Sequence, residues 1–245
     1  LRAGYGDAIT YPNQIDRTFE KNYKGCKNNG IPCGVYWYSY AQSVEAAKQE
    51  AKVCLKVIKG KKFEYPIYFD LEERSQFNKG KAFCDSIVKA FCGEIEKAGY
   101  YAGLYMSRSP LQNYISSDVA KRYTLWIAEY NRQCNYNGKH DMWQYSSTGK
   151  IDGISSNVDM DYCYTDFPTK IKSANLNGYT KTKKLPILEK SGYKKGDKTS
   201  GVLALKEMLI IAKARKLHNV TLDENSIFGE GTEKAVNALL KKWGY

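Results

Sequence analysis

Histidine is nearly absent from this 245-residue chain, and the two that occur, His140 and His218, lie far apart. A Cys–His nucleophile or a zinc centre needs imidazole beside thiolate or carboxylate groups, so neither is expected, nor is any other metal or cofactor. No run of eighteen apolar residues exists, which excludes a helical membrane span. The cysteines (26, 33, 54, 84, 92, 134 and 163) are odd in number and form no Cys-x-x-Cys. They are expected to be free thiols, buried or half-exposed. Cys84 and Cys92 fall in a helical pattern with Phe83, Ile87, Val88 and Phe91, where a thiol serves as a small core hydrophobe. Free thiols suit folding in a reducing compartment. No signal-peptide pattern is read within the chain. The chain opens on the strand-like Leu1-Arg-Ala-Gly-Tyr5, and a preceding N-terminal segment is expected.

Acidic residues are scarce at one end only. Residues 170–245 hold 16 Lys/Arg against 7 Asp/Glu, whereas residues 1–169 hold 22 against 19. A basic tail attracts polyanions, either nucleic acid or an anionic cell wall. The basic residues are mostly lysines spread over helical patterns, and no nucleic-acid-binding motif accompanies them. The wall is favoured as partner over nucleic acid.

Periodicity divides residues 1–166 into alternating short strands and amphipathic helices. Strands are expected at 1–5, 34–40, 66–71, 101–105, 124–129, 142–145 and 159–164, and helices at 14–29, 44–59, 80–98 and 109–115. This alternation indicates βα units and a largely parallel sheet. Residues 173–185, rich in Asn, Thr and Lys, read as linker. The expected organisation is therefore 1–168, a linker at 169–189, and a small lysine-rich helical domain at 190–245.

The densest chemical signal is Tyr65-Pro-Ile-Tyr-Phe-Asp-Leu-Glu-Glu73. In a strand alternate side chains share a face, so Asp70 and Glu72 project together about 6–7 Å apart along the backbone. Two carboxyl groups at this range are what glycoside hydrolysis uses. Glu72 is the candidate general acid, its pKa raised by Phe69, Leu71 and the charge of Asp70. Asp70 is expected to stay ionised. Glu73 alternates to the opposite face and is expected to cap the next segment. Asp159 and Asp161 also share a face; Asp161 is read as a solvated strand end. Flat rings stack on sugars and phenols bond sugar hydroxyls. The chain has 21 tyrosines, and Tyr36, Tyr38, Tyr105, Trp126 and Gln144 at strand ends are the candidate substrate-binding residues. Arg2 is a further candidate partner for a site carboxylate.

These pieces resemble glycoside hydrolase family 25, the Chalaropsis-type lysozymes (N-acetylmuramidases). In family order stand Arg2-Ala-Gly-Tyr-Gly6, Gly34-Val-Tyr-Trp-Tyr38, Tyr65 to Glu72, Gly103-Leu-Tyr-Met-Ser107, Leu125-Trp-Ile-Ala-Glu-Tyr130, Met142-Trp-Gln-Tyr-Ser146 and Gly153 to Asp159. The resemblance implies an irregular TIM-like β/α barrel whose last strands lack intervening helices, with the site at the C-terminal strand ends. It also matches Asp159 to the family's late Asp; Asp161 replaces the usual Asn. The family's first strand, with its Asp, has no counterpart, so Leu1–Tyr5 is expected to expose an unpaired edge.

Gly196-Asp-Lys-Thr-Ser-Gly-Val202 and Phe228-Gly-Glu-Gly-Thr232 resemble the entry and closing motifs of peptidoglycan-binding domain type 1. Lys206 and Leu240 stand where that family commonly has Gln. Thr232 is expected to be the N-cap of the last helix. Together the resemblances imply an α/β hydrolase, plus a small all-α domain, that cleaves the β-1,4 bond between N-acetylmuramic acid and N-acetylglucosamine. It would act at the bacterial cell wall, made in the cytoplasm as a phage endolysin or secreted as an autolysin. The alternative is a non-catalytic wall-binding protein with a degenerate barrel.

Overall fold

Alternation along each strand sends one set of side chains toward helices and the other toward a concave inner face. In the computed structural model, which describes residues 1–11, 14–179, 192–214 and 216–244, this generates a curled seven-stranded sheet. The strands are β1 (Arg2–Tyr5), β2 (Val35–Tyr38), β3 (Ile67–Asp70), β4 (Ala102–Ser107), β5 (Thr124–Ala128), β6 (Met142–Gly149) and β7 (Val158–Cys163). They lie in sequence order, parallel through β6, with β7 antiparallel to β6. Helices α1 (Phe19–Asn28), α2 (Val44–Ile58), α3 (Arg74–Phe77), α4 (Lys81–Lys97), α5 (Arg108–Tyr114) and α6 (Ser117–Arg122) fill the crossovers through β5. The β5–β6 and β6–β7 connections carry no helix. The short helices α3 and α6 are absent from the periodicity because each spans at most two turns.

Trp37, Phe69, Phe91, Ile67 and Ile87 are fully buried between sheet and helices, with Phe69 and Phe91 rings 4.6 Å apart. Each such side chain contributes on the order of 1.5–3 kcal/mol by leaving water. The opposite strand positions, Tyr36, Tyr68, Tyr105 and Trp126, form the aromatic inner face. Gly103 makes room for it: a Cβ there would lie 2.5 Å from the Tyr68 ring. That close approach seats Tyr68 against Trp126, ring centroids 5.3 Å apart.

The expected bare edge of β1 is covered. Gln14 O accepts from Tyr5 N, and Asp16 N donates to Ala3 O, both at 3.0 Å, with Ile15 bridged antiparallel to Gly4. Residues 14–16 are thus extended rather than helical. Asp16 explains the shift, because Oδ1 accepts from the N–H and hydroxyl of Thr18 at 2.8 and 2.7 Å, a local arrangement that competes with helix.

The expected linker also begins later. Helix α7 (Phe167–Ser173), N-capped by Asp166, buries Phe167 and Ile171. Asn177 is fully buried, accepting from Tyr101 N at 2.7 Å and donating to Tyr65 O at 2.8 Å. Residues 169–179 therefore belong to a first compact unit, 1–181, and 182–245 form a second. The rest of the expected linker, 180–189, lies outside the described residues.

Among the described residues, the second unit has α8 (Ser200–Ala214), α9 (Glu230–Lys242) and an isolated antiparallel bridge between Lys198 and Ile227. Leu209, Ala212, Ala235 and Leu239 form its core. Thr232 is not the N-cap of α9. The helix starts two residues earlier, with Gly229 at that position and Thr232 buried in the first turn. All seven cysteines are free; Cys163 is exposed. No helix among the described residues is long and apolar enough to cross a membrane, and no His/Cys/Asp/Glu group there could hold a metal.

A carboxyl lies buried on α2. Glu50 on α2 is 0 % exposed and accepts from Ser39 Oγ at 2.7 Å and Tyr40 N at 3.0 Å. Burial pushes its pKa up to about 8, against those two hydrogen bonds. A folded pKa above the unfolded value means stability fully present below about 4.5 and lost as pH rises through about 8. Thermal melts across pH 5–9 should therefore fall with pH. Glu50→Gln should flatten much of that slope; a variant with the wild-type slope refutes the assignment.

Candidate active site

Strands β2 to β6 end side by side, and their inner-face residues meet. Tyr38, Asp70 and Tyr105 are register neighbours across β2, β3 and β4; Tyr105 is beside Trp126, and Ala128 beside Gln144. A cavity of about 210 Å³ opens there, lined by Arg2, Tyr36, Tyr38, Asp70, Glu72, Tyr105, Trp126, Gln144 and Asp159. Every residue singled out from the sequence as catalytic or substrate-binding lines this one cavity. Tyr40, on the same strand face as Tyr36 and Tyr38, does not.

The carboxyl pair differs in depth. Asp70 is 3 % exposed, and its Oδ1 has no hydrogen-bond partner among the described residues, whereas Glu72 is exposed at the mouth. The two carboxyls are close enough for each to shift the other. Burial raises the Asp70 pKa well above the usual carboxylate range, and the charge of Glu72 and its hydrogen bond add to the rise. Glu72 is raised as well, chiefly by desolvation on its cavity side and further by Glu73 and Asp159, while Asp70 opposes the rise. Both carboxyls are thus held toward the neutral form, the deeper Asp70 chiefly by its burial.

The walls are fixed by hydrogen bonds. Gln144, 3 % exposed, accepts from Tyr105 Oη at 2.9 Å and Tyr130 Oη at 3.1 Å on the same Oε1, which leaves its Nε2 as a donor for another partner. Tyr105 stands edge-on to Trp126, centroids 4.6 Å apart. Trp126 Nε1 donates to Asp161 Oδ1 at 2.7 Å. Asp161 is therefore tied to a wall of the cavity and is not merely a solvated strand end. Its pKa is pushed up to about 6, first by desolvation and then by Asp159, against the Trp126 bond.

Two other expectations change. Glu73 stands at the N-cap position of α3 but caps nothing with its side chain. Its Oε1 accepts from Tyr38 Oη at 2.8 Å, so it braces a wall residue. Arg2 lines the cavity, yet its Nε donates to Asp16 Oδ2 at 2.7 Å instead of to Asp70 or Glu72. Asp16, Glu73, Tyr130 and Asp161 were not assigned to the site from sequence, because each acts through a contact between separate elements. Chemically, the cavity offers a pair of adjacent carboxyls raised above their usual range, a further carboxyl at Asp159, and aromatic walls with amide and phenol groups, which suit a polar, ring-shaped substrate.

The family model for glycosyl hydrolases family 25 matches residues 10–154, which takes in the cavity from Tyr36 to Gln144 and stops short of Asp159. The autolytic lysozyme of Clostridium acetobutylicum is 28% identical over 158 residues, 63% of this chain and 45% of that protein. The crystal structure of the CTP1L endolysin superposes with a TM-score of 0.59 at 26% identity, covering 70% of this chain and 59% of that one. The bacterial lysozyme from Streptomyces coelicolor shares the fold, with a TM-score of 0.59 at 20% identity over 72% of this chain and 84% of that chain. The chain spans about half the length of the curated relatives it matches.

Proposed function

The chain belongs to glycosyl hydrolases family 25, and from that premise we propose that it is a lysozyme-type hydrolase of bacterial peptidoglycan, cutting the β-1,4 bond between N-acetylmuramic acid and N-acetylglucosamine. The observation that carries this reading is the Asp70–Glu72 pair, one deep and one at the mouth, in an aromatic, amide-lined cavity that Asp159 also lines. Glu72 faces the solvent side, where a glycosidic oxygen would arrive. Substrate displaces water from Glu72, which favours its neutral form and draws the shared proton from Asp70. Glu72 then protonates the leaving oxygen as general acid, while the carboxylates of Asp70 and Asp159 stabilise positive charge developing on the sugar; water supplies the oxygen that joins the anomeric carbon, and its proton returns to the carboxyl pair. Gln144 Nε2 is a donor for a sugar acetamido carbonyl, and Tyr36, Tyr38, Tyr105 and Trp126 hold the ring faces. Mass spectrometry of digested, purified peptidoglycan tests the bond. New reducing ends on N-acetylmuramic acid support it; new reducing ends on N-acetylglucosamine, or cut peptides alone, refute it.

The C-terminal unit is the wall-binding part of this reading, supported by its own core and its excess of lysine. Deleting residues 192–245 should leave hydrolysis of a soluble glycan fragment intact but lower turbidity clearance of whole walls at least tenfold. Wall binding through this unit should weaken with salt, since its exposed lysines act over about 8–10 Å at ordinary ionic strength. Equal clearance by both forms would refute the role.

A further inference from the structure

A cavity of about 520 Å³ lies within the C-terminal unit, between α8, residues 221–227 and the first turn of α9. Three kinds of hydrogen-bond donor converge on it. Lys206 is 2 % exposed, and its ammonium donates to Asp223 Oδ1 and, at 2.8 Å, to Asn225 Oδ1. An ammonium has three N–H groups, so one remains. Thr232 is 1 % exposed, and its Oγ1 is buried with no hydrogen-bond partner, not even the backbone carbonyl one turn earlier. The thirteen-residue α9 begins at Glu230 with Gly229 before it, and no side chain caps its first N–H groups. Such a helix start carries partial positive charge and outward-facing donors. A buried hydroxyl left empty is costly, and its retention beside two other unused donors needs a reason.

The acids at the rim do not fill that need. Asp223 is held by Lys206, and Glu230 by Lys234 Nζ at 2.6 Å. The missing partner is an acceptor with two oxygens. A phosphate dianion would bring more charge against Asp223 and Glu230 than one spare ammonium N–H offsets. We propose that this cavity binds the free terminal carboxylate of a short peptide, the peptide component of the peptidoglycan on which the molecule acts. The inference rests on the reading of the C-terminal unit as a wall-binding module and names the group it recognises. The carboxylate oxygens take the hydroxyl of Thr232, the N–H groups at the start of α9 and the third N–H of Lys206. The open position at Gly229 leaves the approach clear, with nothing within 4 Å of a Cβ there.

Isothermal titration of the full chain with N-acetyl-D-alanyl-D-alanine, as free acid and as C-terminal amide, tests this. The acid should bind at least tenfold more tightly than the amide. Thr232→Val, which keeps shape and removes only the unpaired hydroxyl, should weaken acid binding at least fivefold with an equal or higher melting temperature. Thr232→Ser should restore binding, and Lys206→Met should abolish the preference for acid over amide. A purely structural Thr232 would not separate binding from stability in this way. Equal binding of acid and amide, no binding of the acid, or wild-type affinity in Thr232→Val overturns the proposal. If the chain still pellets with walls through residues 192–245 but shows no preference for the acid, the site is wrong and the wall-binding reading stands. If deleting those residues leaves pelleting unchanged, the wall-binding reading itself has failed.

Discussion

Glu72→Gln should lower hydrolysis of purified walls by about 10³-fold, within the range removed with a general acid, while leaving the fold intact. Gln has nearly the volume of Glu and can keep a hydrogen bond to Asp70, so the pocket persists without a transferable proton. Glu72 is exposed, and its side chain supports no core packing, so melting temperature should change little. The phenolic and amide walls should still hold glycan. The expected signature is a collapse of kcat with KM near its wild-type value. Release of reducing ends, read beside circular dichroism, is the measurement. A folded Glu72→Gln protein with even a tenth of wild-type turnover would remove Glu72 from the acid role.

How much of this was legible in the sequence depended on how local each cause is. Period-two alternation through Ile67-Tyr-Phe-Asp-Leu-Glu placed Asp70 and Glu72 on one face, and the structure places both on the same cavity. The same alternation put Tyr36, Tyr38, Tyr105 and Trp126 on the inner face, since each lies on a strand of the sheet. Helices α2 and α4 fell within a residue or so of their expected bounds because their apolar periodicity runs for four turns or more. What escaped was set by contacts across the sequence. The helical look of residues 14–18 yields to pairing with β1 and to the turn that Asp16 imposes. Asn177 looks like a linker residue until its amide is seen joining Tyr65 and Tyr101. Glu50 reads as one more charge on an amphipathic helix; only the N–H of Tyr40 and the hydroxyl of Ser39 explain its burial. Asp161 needed Trp126, thirty-five residues away, to show that it belongs to a cavity wall.

The depth of Asp70 makes its amide variant the sharpest probe of where the proton resides. In Asp70→Asn the buried group stays neutral at every pH and still offers N–H to Glu72, but it has no proton to pass on. The hydrogen bond that lowers the Glu72 pKa persists, and Asp70 can no longer contribute charge that favours neutral Glu72. Glu72 should therefore be ionised over more of the neutral range. Turnover at pH 7 should fall by about 10²-fold, the lower end of what proton transfer contributes. The alkaline limb of kcat/KM should move to lower pH, with part of the activity recovered in acid. Stability should change in the opposite direction. Asp70 has a folded pKa well above its unfolded one, so its contribution is complete below the unfolded value and is lost as pH rises through the folded value. Asn carries no such penalty, and the variant should melt above wild type at alkaline pH while the two converge in acid. A pH–rate profile on a soluble glycan fragment and thermal melts from pH 5 to 9 measure both effects. An unshifted alkaline limb together with identical melts at pH 9 would mean that Asp70 is ionised in the folded protein and that Glu72 obtains its proton from solvent.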